Sequence, residues 1–98
     1  MPTATALATG ATAASSTAAA QAELCLLHAV QSVFNSQYAG CPRSPEWKAG
    51  VLCGMRHQAS LPTAACPYLC GTAQSDAWMS GHREGRAEWK HRSGKGLQ

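Results

Sequence analysis

Three cations near the end of the chain carry the first chemical hint. Arg83, Arg86 and Lys90 recur at i, i+3 and i+7, so a helix would project them together. Trp89 and Arg92 adjoin them, with His82 and His91 close in sequence. A basic helix beside an aromatic ring can hold phosphates and stack on an unpaired base. Arginine suits phosphate better than lysine because its planar fork can bond two oxygens. Arg83, Arg86, Trp89, Lys90 and Arg92 are therefore the candidate RNA-binding set. The bland reading of the same run is a solvated helix face, since Glu84 and Glu88 are interleaved and Glu88 can pair with Arg92 at i+4.

A second constellation could bind a metal. Cys53-x-x-x-His57 and Cys66-x-x-x-Cys70 offer three sulfurs and one imidazole, an acceptable zinc set, and i, i+4 residues share a helix face. The opposing reading is that each cysteine is a small buried hydrophobe. We expect no metal or other cofactor, with this zinc set as the alternative. Catalysis has less to stand on. There is one aspartate, there are four glutamates, and no phosphate loop of the Gly-Lys-Ser or Gly-Lys-Thr type occurs. Cys53 with His57 is the one close thiol–base pair, and a chain of 98 residues leaves little volume for an enclosed pocket. A non-enzyme is expected.

Length and composition bound the elements that must hold these residues. One small domain with a modest core is the most that 98 residues allow. The net charge of +3 is compatible with an acidic partner such as RNA without demanding one. Five of the eight basic residues lie in the last sixteen positions. The five cysteines are odd in number and no secretory signal precedes them, so reduced thiols and a cytoplasmic location are expected. No run is long and apolar enough for a membrane span, and no membrane partner is expected.

Residues 1–20 are almost entirely Ala, Thr and Ser, without charge or apolar periodicity, and read as disorder or a fraying helix. Within 21–39, Leu24, Leu27, Val30 and Phe34 form a helical stripe that Asn35, Gly40 and Pro42 close. Ser44 reads as an N-cap with Pro45 at the first helical position, and Ser75 as the cap of a later helix with Asp76 in its first turn. Met55–Ala65 reads as a loop broken by Pro62, and 93–98 as a loose basic tail.

Two segments share one pattern. Ser44-x-x-Trp47-x-x-Gly50-x-x-x-Gly54 matches Ser75-x-x-Trp78-x-x-Gly81-x-x-x-Gly85. Glycine costs a helix about 1 kcal/mol against alanine, so paired glycines on one stripe need a packing reason. Two helices in close contact, glycines facing and tryptophans filling the ends, supply it. The expected fold is all-α: a disordered leader, an amphipathic helix, and a Trp/Gly helical hairpin over 44–92.

The turn Cys66-Pro67-Tyr68, followed by Trp78-x-x-Gly81-x-Arg83-Glu84-Gly85, resembles the ribosome modulation factor family, from about Ser44 to Arg92. That family comprises short helical proteins of bacteria and phages and includes small proteins described as ciprofloxacin-resistance proteins. The resemblance implies a role in ribosome hibernation in non-growing, stationary-phase or stressed cells, with ribosomal RNA as partner. Cys66, Pro67, Tyr68, Trp78, Gly81 and Gly85, with Trp47, Gly50 and Gly54, would shape the helix pair while the arginines meet RNA. Two other classes stand beside it: a zinc-stapled or phage-type protein-interaction module, and an antibiotic (fluoroquinolone)-modifying resistance protein.

Overall fold

A computed structural model describes the backbone of residues 2–96 and the side chains of residues 18–94. It contains three helices, α1 (Pro2–Gln37), α2 (Pro45–Gln58) and α3 (Ala73–Gly96), and is all-α among the described residues. Lys95 and the last two residues of the expected basic tail lie outside the described side chains, and α3 itself runs on to Gly96.

The helix expected over 21–39 begins at Pro2, so of the two forms expected for the Ala/Thr-rich leader the backbone takes the helical one. Alanine is the strongest helix former and outnumbers the opposing threonines there. Among the described side chains of α1, those that pack lie toward its C-terminal end. Val30 is fully buried, Leu27, Val33 and Phe34 are partly so, and Leu24 remains half exposed although it continues the same stripe.

Ser44 caps α2 as its sequence implies: its Oγ accepts the Trp47 N–H at 3.2 Å, with Pro45 in the first turn. The helix persists to Gln58, so Met55–Gln58 is helix instead of loop, and Met55 becomes a fully buried core residue. Its four-residue spacing from Val51 puts both on the apolar side. Val30, Tyr38, Trp47, Val51, Met55 and Leu61 form the core between α1 and α2. Burying a side chain such as Met55 or Val51 contributes on the order of 2 kcal/mol.

Ser75 does not cap α3. Thr72 does, its Oγ1 accepting the Ser75 N–H at 3.1 Å. Ser75 is buried one turn inside, with the Cys66 Sγ 3.9 Å from its hydroxyl. The Cys66-Pro67-Tyr68 turn thus lies against the first turn of α3.

The expected contact between the two Trp/Gly helices is present, and it is unusually close. A Cβ placed on Gly50 would lie 2.0 Å from the Trp78 carbonyl oxygen, and one on Gly81 2.0 Å from the Trp47 carbonyl oxygen. Gly54 faces the His82 carbonyl and Gly85 the Val51 carbonyl in the same way. The partner number rises on both helices together, so α2 and α3 run in the same direction. Every one of these contacts maps onto another when residue n is exchanged with residue n+31. A local two-fold axis therefore runs along the pair, relating Trp47, Gly50 and Gly54 to Trp78, Gly81 and Gly85. The pair is thus not the antiparallel hairpin expected over 44–92, because parallel helices cannot be joined by a tight turn. Residues 59–72 carry the chain back instead, leaving α2 through Ser60 in a left-handed conformation (φ 63°) and Leu61, whose N–H bonds the Arg56 carbonyl.

Candidate nucleic-acid interface

With α3 pinned to α2 through Gly81 and Gly85, its remaining surface is fixed by the helical repeat of 100° per residue. Arg86, Lys90 and Arg83 fall within about 60° of arc, about 100° or more around the helix from Gly81 and Gly85. All three are exposed, and together with Gln58 and Ala87 they line a shallow depression of about 380 Å3. Arg86 is steadied there: its Nε donates to the Gln58 Oε1 at 3.4 Å, from the last residue of α2. That bond occupies one guanidinium edge and leaves both terminal nitrogens available.

The acids interleaved in sequence fall elsewhere. Glu84 and Glu88 lie about 100° or more around the helix from the three cations. The Tyr38 hydroxyl, at the end of α1, donates to the Glu84 Oε2 at 3.0 Å. Burial, then Glu84 as hydrogen-bond acceptor and nearby charge, then Glu88, push the Tyr38 phenol well above its ordinary value. Glu88 accepts from Arg92 Nε in the i, i+4 pair expected from sequence. The basic stripe is thereby left free of carboxylates.

The structure brings together Arg83, Arg86 and Lys90 and separates the other two members of the sequence-derived set. Arg92 is tied to Glu88 on the acidic flank. Trp89 is partly buried and packs against the core, since it follows Gly85 by one turn on the side that faces α2. Trp78 and Trp47 are both buried. Tyr38 packs between Phe34 and Trp47, and the Arg43 guanidinium lies 4.2 Å above the Trp47 ring.

His82 takes up the edge of the helix contact. Its ring stacks on Trp78 (5.1 Å between centroids) and meets His57 edge-on at 5.4 Å. Burial, then the neighbouring His57 and Arg86 charges, lower its pKa from the ordinary histidine value.

The zinc alternative is not assembled. Among the described residues no three His, Cys, Asp or Glu side chains converge as metal ligands. The Cys53 thiol faces the Ala64 carbonyl, Cys66 faces Ser75, Cys70 is exposed, and His57 is turned to His82. The spacing argument fails because Cys66 and Cys70 lie in the return segment, not on a helix. Cys53 instead borders an apolar groove of about 290 Å3 between α2 and Pro62–Pro67, with Trp78 in its wall. Burial raises the Cys53 thiol pKa, opposed by a backbone hydrogen bond with Ala64 and the Arg56 charge, so it is a poor nucleophile.

Sequence reasoning missed Gln58, Tyr38 and the groove. Each acquires its role only through the parallel pairing, which puts the last turn of α2 beside Arg86. No family model, curated protein or solved structure matches the chain. Among the described residues no helix is long and apolar enough to cross a membrane.

Proposed function

We propose that this chain is a non-enzymatic RNA-binding protein that associates with the ribosome in the manner of ribosome modulation factors. It acts in the cytoplasm of non-growing cells, and α3 makes the contact. The observation that carries the reading is the convergence of Arg83, Arg86 and Lys90 on one open face from which both nearby glutamates are turned away. Three cations on one face can neutralise neighbouring phosphates and release their counterions. Two of them are arginines, whose forks bond phosphate oxygens in pairs. The Cys-Pro-Tyr turn and the Trp/Gly helix pair lend the ribosomal target its support, through the resemblance given above.

The test is sedimentation of the protein with ribosomes from stationary cells at low and raised salt. Three phosphate contacts give a slope of log affinity against log salt of about −2 to −3. Co-sedimentation that salt removes, and that Arg83→Ala with Arg86→Ala weakens, is the expected result. Protein that stays at the top of the gradient at low salt overturns the ribosomal assignment.

A further inference from the structure

The local two-fold axis gives the basic face a counterpart whose occupant is visible. Exchanging n with n+31 relates Arg83, Arg86 and Lys90 on α3 to Leu52 and Met55 on α2 and Ala59 just after it. Those three residues lie on the side covered by α1: Met55 is fully buried, and Leu52 and Ala59 pack against the same core as Val30. Lys48 and Arg56, on this side too, reach α1 and the turn after it through the Ala39 carbonyl and Gln31. The pair therefore offers two equivalent seats for a rod lying along it. The first is apolar and holds a helix of the chain itself. The second is open and cationic.

We infer that this second seat takes the sugar-phosphate backbone of base-paired RNA, and that Gln58 is the positioning residue for it. The inference rests on the RNA-binding reading above and narrows it. Charge complementarity selects a polyanion over a second apolar helix. The missing component selects paired over unpaired RNA. Single-strand binders combine a cationic track with exposed aromatic rings on which bases stack. Here Trp47 and Trp78 are buried, Trp89 is packed on the core, and His82 already stacks on Trp78. Among the described residues no aromatic ring lines the depression, so its chemistry is addressed to phosphates. Double-stranded RNA is recognised largely through such backbone contacts and shape. Arg83 and Lys90 stand seven residues apart, about 10 Å along the helix, so the stripe spans more than one phosphate. Gln58 holds the Arg86 Nε from the neighbouring helix, which orients the terminal nitrogens without itself adding charge.

The experiment is fluorescence anisotropy of the full chain with three RNAs of equal length: a duplex hairpin, oligo(U) and oligo(A). The expected result is duplex binding about tenfold or more tighter than either single strand, with oligo(U) and oligo(A) alike because no base is read. Gln58→Leu should weaken duplex binding about three- to tenfold, with an unchanged melting curve and an unchanged salt slope, because it removes orientation and not charge. Arg86→Ala should lower the slope by about 1. Tighter binding of a single strand, or discrimination between the two homopolymers, overturns the inference and leaves RNA binding intact. A Gln58→Leu variant that binds as tightly as the parent removes Gln58 from the site. Failure of all three RNAs to bind at low salt overturns the inference together with the function it rests on.

Discussion

A methyl group on Gly54 would lie 2.1 Å from the carbonyl oxygen of His82, and its two-fold mate Gly85 stands in the same relation to Val51 at 2.0 Å. In both cases the obstacle is backbone of the facing helix, which cannot rotate aside as a side chain would. The glycine cost in helix propensity is thus offset by dispersion between two backbones in contact. Gly54→Ala or Gly85→Ala must push the helices apart and open the contact along its length. Each should cost about 3 kcal/mol or more, a large share of what a chain of this size holds in reserve. Gly94, also in α3, meets nothing within 4 Å, so Gly94→Ala should instead stabilise by about 0.5–1 kcal/mol. Circular dichroism melts of the three variants check both signs.

How much of this could be read beforehand follows from which residues act locally. The Ser44 cap, the apolar stripe of α1 and the Trp/Gly repeat depend on neighbours within one or two turns, and they stood in the sequence. That the repeat implies a close pair was also legible, because four glycines at matching positions have no other helical rationale. The direction of the pair was not: the expected hairpin is antiparallel, and identical faces can meet in either sense. Residues 59–72 settle it by being long enough to return. What depends on direction was hidden for that reason, above all Gln58 beside Arg86; the zinc set failed on a separate ground, because Cys66 and Cys70 lie in the return segment.

Ser60 ends α2 with φ 63° in a position where glycine is the usual occupant. The left-handed conformation costs a residue with a Cβ on the order of 1 kcal/mol. It is held because Leu61, next in the chain, is buried and its N–H satisfies the Arg56 carbonyl. Ser60→Gly should therefore stabilise the fold by up to about 1 kcal/mol, whereas Ser60→Val should destabilise it. Urea unfolding midpoints decide the point; a loss of stability in Ser60→Gly would mean that chain entropy outweighs the relief.

Acid should loosen the helix pair. Burial holds the His82 pKa below its unfolded value, and His57 and Arg86 add to the effect. Between the unfolded value of about 6.5 and the lower folded one, the unfolded chain binds the extra proton. The stabilising contribution is thus fully present above about pH 6.5 and is lost as pH falls through the folded pKa. Unfolding midpoints should drop as pH falls below about 6.5, and His82→Phe, which keeps a ring on Trp78, should flatten that drop. An equal acid loss in His82→Phe would assign the effect to other groups.

Trp89 and Arg86 stand three residues apart on one helix and should fail in different ways. Trp89 is partly buried against the core, so Trp89→Ala removes buried apolar area and should cost about 2 kcal/mol of stability. Because its ring does not lie on the cationic stripe, the folded fraction of that variant should bind duplex RNA with the parent's affinity and salt slope. Arg86→Ala should do the reverse. Arg86 is exposed, and among the described residues its side chain bonds Gln58, so the melt should hardly move while the salt slope falls by about 1. Measuring both variants at a temperature where each is folded separates the roles. A Trp89→Ala chain that is fully helical yet loses RNA affinity would place an aromatic ring in the site and return the stripe to single-strand chemistry.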